Sequence, residues 1–195
     1  MGHHTILRSG NTALPGQETD NASPELYLVA KYNVPICWLA LFGVNDIKAF
    51  RDDREEAWPY LIAPRESALL RLRNRRDLMF NLLPKAHLTT FEMFCSLLDG
   101  LRQPYLHCDT SDVGSMHSDA DEWRGMLREM LEALDHAPPS RMRTGLAGIL
   151  FGSGLSRGWS RLLEVSGFGW PPSDPDNDYY LAGDFEEILR GGALH

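Results

Sequence analysis

The sequence predicts an α+β fold, mainly helical, in which a few short strands form a small sheet. Three observations lead there. The clearest apolar periodicity is helical, with Trp123, Met126, Leu127, Met130, Leu131 and Leu134 recurring at i, i+3, i+4 and i+7. The strand-like stretches are short and scattered, at Thr5 to Arg8, Glu25 to Ala30, Tyr60 to Ala63 and Tyr105 to Cys108. Long alternation of strand and helix, the mark of a parallel doubly wound sheet, is absent. The 195 residues are expected to make one globular domain, 1–195, without internal repeats.

Taken in order, the first strand is followed by residues 9–24, rich in Gly, Pro, Asn, Ser and Thr and therefore expected to be a loop. After the second strand, Pro35 to Gly43 reads as a short buried helix, with Pro at its start and Gly past its end. A buried strand is the competing reading, because period alone cannot separate the two in so short a run. Asn45 is expected to cap a helix carrying Ile47, Phe50 and the charged set Arg51 to Glu56. The segment Pro64 to Leu83 alternates Leu and Arg at 70–73 and leaves helix or strand open.

Thr89-Thr90-Phe91-Glu92 has the pattern of a capping box, with Leu88 placed to staple onto Met93. The stripe Phe91, Phe94, Cys95, Leu98 and Leu101 follows. Ser118 to Glu122 opens the strongest helix, its anions in the first turn where the helix dipole favours them. Pro138-Pro139 ends it, and a further helix is expected over Arg157 to Val165. Beyond it, Gly167 to Asp178 reads as a loop, Tyr179 to Leu181 as strand-like, and Asp184 to Leu189 as a closing helix or strand.

Composition excludes several classes. Asp and Glu number 27 against 19 Lys and Arg, a formal charge of −8, which disfavours nucleic acid as partner and suits a basic protein. The longest apolar run, Val34 to Val44, is broken by Pro35 and is about half of the roughly 20 residues that a membrane span needs. The start Met1-Gly2-His3-His4-Thr5-Ile6 lacks a basic region and apolar core, so a cytoplasmic protein that binds no membrane is expected. The three cysteines Cys37, Cys95 and Cys108 are odd in number and show no C-x-x-C spacing. Cys37 and Cys95, in apolar surroundings, are expected to be small buried hydrophobes.

Candidate chemistry is sparse. Gly154-Leu155-Ser156-Arg157-Gly158 matches the G-x-S-x-G turn that exposes a serine nucleophile, which makes a small serine hydrolase using Ser156 the alternative function. Its histidine would have to be His195, and the plainer role of Ser156 is to cap the following helix. Asp174-Pro175-Asp176-Asn177-Asp178 resembles the start of a calcium loop, but Tyr179 and Phe185 stand where Gly and Glu are needed. His107, Cys108, Asp109 and His117 are metal-capable, yet their spacing is irregular for zinc. Neither metal nor cofactor is expected. Arg71, Arg73, Arg75 and Arg76 lack the interleaved aromatics of a base-stacking surface and are expected to be solvated or paired with acids.

The carboxylates are concentrated. Asp109 to Asp135 holds eight of them and two arginines, and Asp174 to Glu187 holds six and no base. The set Asp109, Asp112, Asp119, Asp121, Glu122, Asp174, Asp176 and Asp178 is therefore the candidate partner-binding surface, able to steer a positively charged protein. The segment Tyr32-Asn33-Val34-Pro35-Ile36-Cys37-Trp38-Leu39-Ala40-Leu41-Phe42 and the stretch Tyr179 to Glu186 are similar to small bacterial proteins, some encoded beside polymorphic toxins. This resemblance covers 19 of 195 residues. It implies an acidic, non-enzymatic, cytoplasmic immunity protein that binds a toxin, and it assigns no binding residues.

Overall fold

The computed structural model of the chain describes residues 3–14, 24–51, 57–83, 88–136 and 157–166. Its strands are β1 (His4–Gly10), β2 (Tyr27–Lys31), β3 (Ile47–Arg51), β4 (Ala57–Pro64) and β5 (Tyr105–Asp109). They form one sheet in the order β2-β1-β5-β4-β3, antiparallel at every pairing. The helices are α1 (Ile36–Leu39), α2 (Arg65–Asn74), α3 (Arg76–Leu82), α4 (Leu88–Asp99), α5 (Ser111–His117), α6 (Ala120–Leu134) and α7 (Arg157–Val165). The fold is α+β and mainly helical, as the sequence predicts.

Register decides which side of the sheet is core. Leu7 lies opposite Leu28 and Cys108, and Cys108 lies opposite Leu61. Residues directly opposite in an antiparallel ladder share a face. That face, with Ala30, Ala63 and Leu106, belongs to the cluster that also takes Trp38, Phe42, Phe91, Phe94, Trp123 and Leu162 from the helices and their connections. Its burial supplies the main stabilisation, at about 25 cal/mol per Å² of apolar surface. The other face carries Arg8, His107 and Ile62 in one cross-strand row and Ile6, Asp109 and Tyr60 in the next.

Helix α6 is the central packing element. All six apolar residues of its predicted stripe are buried. Asp119 caps it, accepting from Asp121 N at 3.1 Å and Glu122 N at 2.9 Å. Helix α7 crosses it at Gly158, where a Cβ would sit 2.3 Å from the carbonyl oxygen of Glu129. Only a residue without a side chain allows that approach.

Some expectations fail. The segment after Asn45 is strand β3 rather than a helix; Asn45 itself lies in a 3-10 turn, Val44–Asp46. Ile47-Lys48-Ala49-Phe50-Arg51 pairs along its whole length with Ala57 to Leu61, and this hairpin outweighs a local capping preference. The capping box at Thr89 does not form. Thr89 is already inside α4, Glu92 instead receives Arg76 Nη2 at 2.6 and 2.8 Å, and Met93 is exposed rather than stapled. Residues 9 and 10 extend β1 rather than start the loop. Cys95 is half-buried, whereas Cys37 is fully buried as expected. The open segment 64–83 resolves into α2 and α3, joined at Arg75. Helix α5 has no counterpart among the expectations: its sequence Ser-Asp-Val-Gly-Ser-Met-His has no apolar stripe, and only Val113 and Gly114 are buried.

Candidate functional site

The predicted acidic residues that the structure describes gather at one end of the sheet. Asp109 ends β5, and pairing puts it beside Ile6 near the start of β1 and Tyr60 near the start of β4. Helices α5 and α6 begin from that same end. Arg124, in the second turn of α6, donates from Nη2 to the carbonyl of Ala57 at 2.9 Å, which ties the start of α6 to the start of β4. Arg51 and Ala57 are the last pair of the β3–β4 hairpin, and the five residues between them include Asp52, Asp53, Glu55 and Glu56. Those five residues, Arg54 among them, lie outside the described residues.

Several of these carboxylates have structural work. Asp109 Oδ1 accepts from Ser111 N at 3.0 Å and Ser111 Oγ at 2.7 Å, which opens α5. Asp112 Oδ2 accepts from His4 N at 2.8 Å, and its Oδ1 lies 3.0 Å from His3 Nδ1, so it straps β1 to α5. Asp119 is spent as the cap of α6. Asp121 and Glu122 are different: both are exposed on the first turn of α6, Asp121 at 89 % even while it pairs with Arg124 at 2.8 Å. Asp174, Asp176 and Asp178 lie outside the described residues, as does Ser156. The last glycine of the serine motif, Gly158, is accounted for by the contact between α6 and α7.

The arginines of 71–76 all have partners, and Arg75 reaches the other end of α6. Arg75 is buried between α2 and α3, and donates from Nη1 to the carbonyls of Ala40 at 2.9 Å and Phe42 at 2.7 Å. Its Nη2 reaches Asp135, the C-cap of α6, at 2.5 Å. Arg71 takes the intervening carbonyl of Leu41 at 2.9 Å and Asp46 at 2.8 Å. Three successive carbonyls after the short helix α1 are thus satisfied by guanidinium groups, answering the need of a helix C-terminus for donors and positive charge. Arg73 pairs with Asp99 at 2.7 Å and Arg76 with Glu92. Arg71 and Arg75 thus form an internal brace, while Arg73 and Arg76 are exposed and paired with acids, as the sequence implies.

The metal-capable set is not assembled. His107 and Cys108 are adjacent on β5 and point to opposite faces, and the ring of His117 stacks on Trp123 with centroids 5.6 Å apart. No group of three or more potential ligands occurs among the described residues. Burial pushes the thiols of Cys37 and Cys108 up, and that of Cys95 up to about 11, so all three stay protonated and weakly nucleophilic near neutral pH.

Sequence reasoning missed one cluster. Arg8, Tyr60 and His107 converge on the face of the sheet away from the core, with the Tyr60 and His107 rings edge to face at 6.0 Å. Burial drives the Tyr60 hydroxyl up to about 12 and the His107 imidazole down to about 4, the latter helped by the charge of Arg8. A β-strand alternation over 105–109 would have put His107 outside; only strand order brings it beside Arg8 and Tyr60. In comparisons with family models, curated proteins and solved structures, the chain has no match. Among the described residues, no helix is long and apolar enough to cross a membrane.

Proposed function

We propose that the chain is a non-enzymatic protein-binding module whose acidic end engages a basic protein, in the manner of an immunity protein that occludes a toxin domain. The observation that supports it is the exposed carboxylate pair in the first turn of α6. Asp121 and Glu122 stand exposed in its first turn, at the end of the sheet where Asp109 closes β5. Arg75 meets its far end through Asp135, about 20 Å away at 1.5 Å per residue, and it and Arg71 are used up in internal bonds. The outward field at that first turn is therefore negative, which raises the encounter rate of a cationic partner. Binding of this kind needs neither cofactor nor metal. The similarity of Tyr32 to Phe42 and Tyr179 to Glu186 to toxin-associated bacterial proteins agrees with this reading.

The test uses the purified chain and the product of the adjacent reading frame. A complex is expected, with an association rate that falls about tenfold or more from low to high salt. The double substitution Asp121→Asn, Glu122→Gln is expected to slow association and leave dissociation nearly unchanged. Absence of any complex refutes the function, and a salt-independent association rate refutes the acidic end as the binding surface.

A further inference from the structure

His107 is a buried titratable group that the proposed binding end does not use. It stands on the central strand β5, opposite Arg8 of β1 and Ile62 of β4. It is 1 % exposed although it lies on the face away from the helices. Its Nε2 is 2.9 Å from the carbonyl oxygen of Thr12, which has turned back over the strand after β1 ends at Gly10. A carbonyl can only accept, so Nε2 carries the ring proton and Nδ1 bears the lone pair. Nδ1 is buried and has no hydrogen-bond partner. The ring also has no slack on the side of β1, since a Cβ on Gly10 would sit 3.0 Å from Nε2.

We propose that His107 is an acid-sensitive latch that holds residues 11–14 against the outer face of the sheet, and that protonation of its free nitrogen releases them. A proton taken from solvent onto Nδ1 creates a second N–H with no acceptor in reach. The Thr12 carbonyl on Nε2 favours the new charge, but burial outweighs it, and the side chains facing the ring oppose the charge or do not answer it. Arg8 from β1 is a cation, and Tyr60 from β4 presents its ring at 6.0 Å. On β5 itself, Asp109 shares the face, but its Oδ1 is held by Ser111, and Tyr105 stands on the same face two residues before His107. Residues 11–14 contribute Asn, Thr, Ala and Leu, none of which titrates. The charged ring gains by turning to water, and in doing so it breaks the bond to Thr12 and uncovers Gly10 and the middle of β5. This device is independent of the acidic end.

The test is a heteronuclear NMR titration of the full chain. At neutral pH the ring is expected as the neutral Nε2–H tautomer. Its midpoint is expected near 4 rather than 6.5, with the amide signals of residues 11–14 moving at that same midpoint while those of Trp38 and Trp123 in the core stay. The variant His107→Gln keeps a donor for Thr12 and cannot titrate; it is expected to retain the neutral-pH signals of 11–14 and lose their acid transition. A midpoint near 6.5, or signals of 11–14 that ignore the His107 transition, overturns the latch. So does loss of the core signals at the His107 midpoint, because the group would then govern global stability and not a local release.

Discussion

Arg75 offers the sharpest test of how the helical layer is held. Replacing it with Ala strips the carbonyls of Ala40 and Phe42 of their donor, and both residues are fully buried. Each orphaned buried acceptor costs about 1–3 kcal/mol. Asp135, the third partner, is 54 % exposed and recovers its hydration, so its loss adds little. Truncating the buried stem also removes packing. Together these place the loss at about 3–5 kcal/mol, which is a large part of the 5–15 kcal/mol that holds a typical domain. Asp135→Asn leaves both carbonyl bonds intact and is expected to cost about 1 kcal/mol. Urea unfolding followed by tryptophan fluorescence reads both values, with the slope m unchanged if the native state alone is affected. Equal losses in the two variants would refute the reasoning, because the ion pair and not the carbonyl clamp would then carry the stabilisation.

Three further outcomes are expected. Gly158→Ala drives a methyl into the backbone of Glu129, which cannot rotate away, so α6 and α7 must separate; a loss of about 3 kcal/mol in urea unfolding is expected, and a loss below about 1 kcal/mol would show the crossing is loose. Tyr32 holds φ 63° at an exposed turn, so Tyr32→Gly is expected to be about 1 kcal/mol more stable than Tyr32→Ala in thermal melts, and the ordinary order would contradict it. Glu25 accepts from the backbone N–H of Arg102 at 2.6 Å and of Gln103 at 3.0 Å, which lowers its pKa below the ordinary 4.5. The unfolded chain therefore binds the proton first, and the contribution of Glu25 is complete above pH 4.5 and lost as pH falls through the lowered value. Melting of wild type and Glu25→Gln should converge as pH drops through that window, and parallel curves would remove Glu25 from the account.

The residues show why some of this was legible in advance. Helix α6 announces itself because its stripe and its cap lie within one continuous run. Short strands at 5–8, 60–63 and 105–108 were visible for a similar reason, as β-favouring residues bounded by turn formers. Strand β3 was not, because Asn45 and the charged residues after it imitate a helix start, and the decisive partner, β4, begins only at Ala57. The Thr89 box failed because its glutamate is claimed by Arg76, a residue 16 positions away.

For the candidate surface, the sequence by itself determined the amount of charge and its clustering along the chain, since those are properties of composition and order. It also determined that 71–76 carries no interleaved aromatics. Only the tertiary structure decided that Asp109, Asp112 and Asp119 are largely spent on straps and caps while Asp121 and Glu122 face solvent. It alone turned Arg71 and Arg75 inward onto the carbonyls of residues 40–42, and it alone set His107 beside Arg8 and under Thr12. The physical reason is range. Helix periodicity is settled by neighbours three and four residues apart, whereas the state of a charge depends on whatever the fold brings within about 4 Å of it.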